Sequence, residues 1–376
     1  MTTEAFDVAV VGGGLHGLSA ALQIARRGAR VVVLERRWVG SHSSGASAAG
    51  VRTQGRDLAD LPLSLQSSTM WHEIESIVGD DCGFRACGQV KVAESDAELA
   101  VLQQRVDMLR GRGYFHEEII GAEELRQLVP GIASHCVGAA IVRTDGAADP
   151  HRTIAAFRCA AEAAGVSIRE QSGVSSIERC DGIWRVSFGG QNLETPKIVN
   201  AAGAWAADVA AMIGDRFELG TKASMMIVTE RVSDASWPVV GAVGRMLSFK
   251  QTDCGTLLIG GGAQGRYDLA AEQTTINFVA LGAVARAVAE LFPCCRNIRV
   301  VRTWSGLEAK TEDHLPVIGA SPNADGVYHV FGFSGHGFQL VPAAGAAVAD
   351  LVFDGATNRP IAGLGPSRLI KENAAA

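Results

Sequence analysis

The chain has 376 residues, 47% of them hydrophobic, 20% charged and 6% aromatic, a balance that excludes disordered, collagen-like and fibrous classes. A formal net charge of −6 speaks against nucleic acid and acidic membrane surfaces as partners, since both require a basic face. Single cores stop growing near ~250 to 300 residues, so two domains are expected; the 44 glycines cluster in short motifs, which points to tight backbone turns around a ligand.

Residues 6–11 form a short apolar run of strand type, followed by Gly12, Gly13 and Gly14 and then a helical pattern with Leu15, Leu18, Leu22 and Ala25 on one face, ended by Gly28. Residues 31–34 read as a second buried strand closing on Glu35, so the chain opens with a parallel strand–helix–strand unit. Residues 40–50, rich in Ser, Gly and Ala, are expected as a long loop. Ser95 and Glu98 make a capping box ahead of a helix carrying Leu99, Leu102, Val106 and Leu109, and a short helix at 122–128 is stopped by Pro130. Asp149 and Pro150 introduce a helix over 152–164, with alternating segments at 166–169, 174–178 and 184–188 after it. Residues 197–200 are a strand entering the Gly203 turn, 225–259 look rich in strands, and a helix is expected over 276–291 before Pro293. The last block returns to strand (327–331), glycine turn (332–337) and helix (338–352). With no repeat and no Pro-rich linker, the two domains are expected to be interleaved.

None of the eight cysteines has CxxC spacing, so buried reduced thiols are expected in place of a metal or iron–sulfur site. The amino terminus has no basic stretch leading into a cleavable apolar run, and no window holds about 18 uninterrupted apolar residues. A cytoplasmic protein without a transmembrane segment is the expectation.

Gly12, Gly14 and Gly17 fit GxGxxG directly after a strand and at the opening of a helix, with Glu35 18 residues past Gly17. The first glycine permits the turn, the second lets backbone approach a pyrophosphate, and the third lets the helix pack on the sheet. Glu35 is placed to accept hydrogen bonds from ribose hydroxyls, and its charge disfavours a 2′-phosphate. His16 is not required by the fingerprint and reads as a solvated residue at the helix start. The fingerprint alone does not separate NAD from FAD.

Two later motifs do. Residues 198–205, IVNAAGAW, run a strand into a glycine turn, and residues 332–339, GFSGHGFQ, are a glycine turn opening a helix. With Trp304, Ser305, Gly306 and Leu307, then Thr311, Asp313, Pro316, Ile318 and Gly319, they resemble the D-amino acid oxidase superfamily of FAD-dependent amine and amino-acid oxidoreductases over nearly the whole chain. That family includes glycine and sarcosine oxidases and the catalytic beta subunits of multi-subunit amino-acid or opine dehydrogenases. The resemblance implies an α/β (α+β) fold: a glutathione-reductase-like, Rossmann-type FAD domain interleaved with an antiparallel-sheet substrate domain. The corresponding divisions are 1–80, 145–215 and 312–376 for FAD, and 81–144 and 216–311 for substrate.

By the same resemblance, Ser43, Ser44, Ala48, Ala49 and Gly50 run along the pyrophosphate and flavin, and Val174 holds adenine through its backbone. Leu15, His16, Arg36, Ala202 and Gly203 complete the contacts on the nucleotide side. Gly335, His336, Gly337, Phe338 and Gln339 point a helix amino terminus at the flavin's pyrimidine edge, where negative charge gathers on reduction. The implied chemistry is hydride transfer from the substrate α-carbon to flavin N5, giving an imine that water hydrolyses. Arg52, directly after the loop, is the first candidate to clamp a substrate carboxylate, its alternative being an ion pair or pyrophosphate contact; His336 and Gln339 complete the candidate catalytic set.

There are departures from the family. Where amino-acid oxidases carry a further arginine after WxGL, this chain has Glu308, read as a surface carboxylate or a partner for a cation. Gln339 and Gly306 stand where sarcosine oxidases place a lysine and a flavin-linking cysteine, so non-covalent FAD is expected. Met225 and Met226 lie on a strand over the substrate, with packing the simpler role. Within 254–262 the position over flavin N5 is apolar where several oxidases have a lysine, with Lys250 able to substitute only under another register. The expected partners are thus a small amino or imino acid, including N-substituted, opine or proline types, and an electron-accepting protein or subunit in place of oxygen. A peroxide-forming oxidase, a non-catalytic FAD-binding subunit and an NAD enzyme remain alternatives.

Overall fold

A computed structural model describes residues 4–233 and 237–371. Its six-stranded sheet runs in the order Val317–Ala320, Val327–Phe331, Lys197–Asn200, Val8–Val11, Val31–Leu34, Ser167–Arg169, parallel except for the first pair. Val8–Val11 lies at its centre, and the reason it reads as an unbroken apolar run is that both faces are covered. Val8, Val10, Val31 and Val33 pack against the helices Leu15–Ala25, Pro150–Ala163 and Gly337–Asp354. Ala9, Val11, Val32 and Leu34 pack on a four-stranded sheet through Ile177, Trp184, Val186 and Leu193.

The helix Gly337–Asp354 is long and apolar enough to cross a membrane, but most of its apolar residues are buried inside the protein. It crosses Leu15–Ala25 at close range: a Cβ on Gly345 would lie 2.1 Å from Ser19 Oγ, which donates to the Val341 carbonyl at 2.9 Å.

A second sheet of eight strands runs Val300–Lys310, Gly220–Arg231, Thr256–Gly260, Ser248–Gln251, Val239–Ala242, Gln89–Ala93, Gly138–Val142, Glu118–Gly121. It is antiparallel apart from one pair, Val239–Ala242 with Gln89–Ala93, so the all-antiparallel expectation needs that correction. The helix Phe278–Leu291 packs behind it through Leu281, Val284, Val288 and Leu291.

The strand–helix–strand opening forms as the spacing predicts. The capping box differs: Ser95 accepts from the Glu98 amide at 3.3 Å, but Glu98 returns its bond to the amide of Glu94, one residue earlier than the reciprocal pattern. Leu61–His72 is a helix that apolar periodicity misses, because its buried face is built from Ser64, Ser67 and Ser68. All eight cysteines are free, yet only Cys82 and Cys136 are buried; Cys87, Cys159, Cys254 and Cys294 are exposed, which corrects the expectation of uniformly buried thiols.

Candidate active site

The carboxyl ends of Val8–Val11 and Lys197–Asn200, the 40–50 loop, the 332–337 turn and the face of the eight-stranded sheet enclose one elongated cavity of about 1100 Å³. The helix Leu15–Ala25 starts at its wall with Gly14 in extended conformation and no side-chain cap from that position; beyond the Leu15 amide, which Ser44 takes, the amides of the first turn are available to a ligand. Gly12 sits at φ 108°, and a Cβ there would lie 2.4 Å from the Ala201 carbonyl oxygen. A Cβ on Gly17 would lie 1.9 Å from the Gly12 carbonyl oxygen, the close helix–sheet contact that the third glycine allows. Ser44 Oγ accepts from the Leu15 amide at 3.0 Å and so ties the loop to the helix start.

Glu35 is 7% exposed at this end, its two oxygens accepting from the amides of Gly13 at 2.7 Å and Arg37 at 2.8 Å. A carboxylate can accept about four hydrogen bonds, which leaves capacity for ribose. Arg36 lies over the Trp205 ring at 4.8 Å and pairs with Glu272 at 3.0 Å. Val174, Ala202 and Gly203 line the same end. Asn200 shapes the turn, donating to the Ala206 carbonyl and accepting from the Ala202 amide.

His16 is not solvated. It stacks on Phe333 at 3.6 Å with the rings 6° from parallel, and burial pushes it down to about 3 against a weaker pull from the Gly337 backbone. It is a neutral spacer between the helix start and the 332–337 turn.

Ser43, Ser44, Ala48, Ala49 and Gly50 line the cavity from the helix start onward, and Arg52, Gly335, His336, Gly337 and Phe338 line its far end. Arg52 spends one guanidinium bond on the Gln54 carbonyl, at 3.1 Å. Its segment is fixed by the buried Asp145, which accepts from Thr53 and Gln54 at 2.8 to 2.9 Å. Arg56 and Lys91 extend the cationic corner, opposed by Asp60, whose oxygens are buried without a hydrogen bond and face His336 Nδ1 at 3.3 Å. Burial, with Arg56 acting in the same direction, holds His336 well below its ordinary value in spite of Asp60. The ring is therefore neutral at neutral pH.

Gln339 is the candidate that the structure does not bring to the cavity. It is fully buried, its amide donating to the Ser64 carbonyl at 2.6 Å and accepting from Ser64 Oγ, while Ser67 and Trp71 donate to its carbonyl. A helix residue two positions past Gly337 turns away from the cavity end and into the serine face of Leu61–His72. Met226 lines the cavity, whereas Met225 points into the core behind the sheet.

Three expectations about charge change. Glu308 is not a surface carboxylate: it lines the cavity and accepts from the Gly335 amide at 2.6 Å. No side chain of Thr256–Gly260 lines the cavity, and Lys250 is buried elsewhere, donating to the Ala148 carbonyl at 3.1 Å. The cavity nevertheless holds two lysines, Lys91 and Lys222, on strands outside the lysine-free 254–262 segment. The signal for Lys222 was period-two alternation: Lys222, Ser224 and Met226 share one face of their strand.

A helix start opening on the cavity, a glycine cradle and an acidic ribose site along one cavity define a dinucleotide-binding oxidoreductase. The model of the DAO family, FAD dependent oxidoreductases, matches residues 7–351, and the chain belongs to that family. It is 29% identical to a glycine oxidase of Geobacillus kaustophilus over 363 residues, 93% of each chain. It is 26% identical to an opine oxidase subunit of Rhizobium meliloti, over 86% of this chain and 87% of the relative. Among solved structures, L-proline dehydrogenase from P. horikoshii superposes with a TM-score of 0.90 at 28% identity, covering 98% of both chains. The cofactor is FAD, and the protein is an oxidoreductase related to enzymes of amino-acid-like substrates. The residues present fit FAD: the cradle and Glu35 at one end, the small-residue loop along the middle, and the start of the helix Gly337–Asp354 at the other.

Proposed function

We propose that the protein oxidises the C–N bond of a small amino or imino acid, of N-substituted, opine or proline type, and passes the electrons to an acceptor other than oxygen. The observation that carries the reading is Arg52: a guanidinium in the cavity wall, next to the loop that lines the flavin end, with a single hydrogen bond to protein. Two parallel N–H bonds from such a group fix a carboxylate and thereby orient the α-carbon. FAD, when bound, supplies the two-electron acceptor for a hydride from that carbon.

The chain's own residues do the rest. Met226 and Val239 give the sheet wall an apolar side; a low-dielectric wall disfavours an ammonium and so favours the neutral amine that oxidation requires. His336, neutral and backed by Asp60, is available to accept a hydrogen bond. Gly306 packs so tightly that a Cβ would lie 2.3 Å from the Ala46 Cβ, and no cysteine lines the cavity among the described residues, which supports non-covalent FAD.

The likeness to L-proline dehydrogenase and to oxidase subunits supports an acceptor protein or partner subunit. A cytoplasmic location rests on the sequence alone. The test is anaerobic bleaching of the purified flavoprotein by a panel of amino acids, N-methyl amino acids, prolines and opines. Bleaching by at least one class is expected; a flavin that no amine reduces leaves a non-catalytic FAD-binding subunit.

A further inference from the structure

The strands Val300–Lys310 and Gly220–Arg231 pair with Glu308 opposite Lys222 and Gly306 opposite Ser224, and all four residues line the cavity. The two charged side chains do not neutralise each other in an ion pair. Lys222 Nζ donates to the Ser334 carbonyl at 2.9 Å, and Glu308 Oε1 accepts from the Gly335 amide at 2.6 Å. Glu308 is half-buried in the cavity wall, and its Oε2 has no hydrogen-bond partner among the described residues, which leaves that oxygen open to a cationic group entering the cavity. Elsewhere at the flavin end the lining has a cationic corner, formed by Arg52, Arg56 and Lys91. The lining is therefore bipolar, with donors for a carboxylate in one corner and an unused acceptor pair of electrons on Glu308 in another.

We propose that Glu308 selects a substrate carrying, besides its carboxylate, a second cationic group, a guanidinium or an ammonium. The inference deepens the proposed amine oxidation and rests on it. A neutral amino acid leaves Oε2 unpaired in the cavity, whereas a guanidinium-bearing one satisfies it with a charge-assisted bond. Lys222 sharpens the choice: with its ammonium held on Ser334, it repels a cation that strays from the Glu308 side.

The experiment measures binding of unreactive probes to the FAD-loaded protein by calorimetry, comparing 4-guanidinobutyrate and 6-aminohexanoate with butyrate. At least one cationic probe is expected to bind about tenfold or more tighter than butyrate, and Glu308→Gln should bring that ratio close to one. A ratio near one in the unmodified protein, a ratio unchanged in E308Q, or no binding of either cationic probe overturns the proposal. Failure of the amine-oxidation reading shows differently, as a flavin that no amine in the panel bleaches. Bleaching by neutral amino acids alongside equal probe affinities would sink the Glu308 role and leave the oxidation standing.

Discussion

Arg52 and Gln339 show how far a residue's role depends on where its side chain turns. Both sit in motifs at the flavin end, yet Arg52 reaches the cavity and Gln339 is locked to Ser64, Ser67 and Trp71. Arg52→Ala should raise KM about tenfold or more, because a charge-assisted pair contributes ~1.5 to 3 kcal/mol, while the FAD spectrum is retained. Steady-state kinetics decide it: lost FAD with normal KM in the remaining holoenzyme assigns Arg52 to the cofactor. Lys250 carries a pH effect of calculable sign. Burial holds it at about 8 from an ordinary 10.5, so between those values the unfolded chain binds more protons and rising pH favours the folded state. Below pH 8 both states are charged and the burial penalty is fully present. In urea unfolding, the stability of Lys250→Met relative to the unmodified protein should be greatest below pH 8 and decline toward pH 10.5. A difference that is flat with pH contradicts this.

At the scale of elements, the hairpin Arg266–Asp268 and Gln273–Thr275 reaches from the eight-stranded sheet to the nucleotide end. Its Glu272 pairs with Arg36 at 3.0 Å, Arg37 at 2.8 Å and His42 at 3.4 Å, so it fastens the segment that follows Glu35. Glu272→Gln keeps the shape and removes the charge; it should speed FAD release severalfold, measured by transfer of flavin to an apo-flavoprotein trap. Release at the unmodified rate would mean that the hairpin does not help hold the cofactor. The helix Leu61–His72 works from below: through Ser67 and Trp71 it grips the Gln339 carbonyl and so sets the pitch at which Gly337–Asp354 meets the cavity.

For the whole molecule, the two sheets form opposite walls of one cavity, and what leaves it decides between a dehydrogenase and an oxidase. With an acceptor protein as the outlet, substrate-dependent dye reduction should exceed peroxide formation by at least about an order of magnitude, corresponding to ~1.4 kcal/mol between the competing barriers. Lys222 and Lys91 in the lining make this a real contest, since a cation near the flavin favours reduction of oxygen. Stoichiometric peroxide from the purified chain would make it an oxidase.

The nucleotide half was legible because its signals are local. A strand buried on both faces must be apolar throughout, and glycines at 12 and 17 are required by contacts a few residues away or across one strand. FAD as cofactor and the DAO family followed from such motifs. The substrate half was not legible in the same way. Glu308, Lys222 and Lys91 come from three strands of one sheet, and Asp60 meets His336 across 276 positions of chain, the difference of their numbers. Nothing in a linear pattern records such distant pairings, and the charge of a cavity depends on which strands become neighbours. Gln339 is the clearest case: its motif placed it near the flavin, and the turn of one helix against a serine-faced neighbour took its side chain into the core.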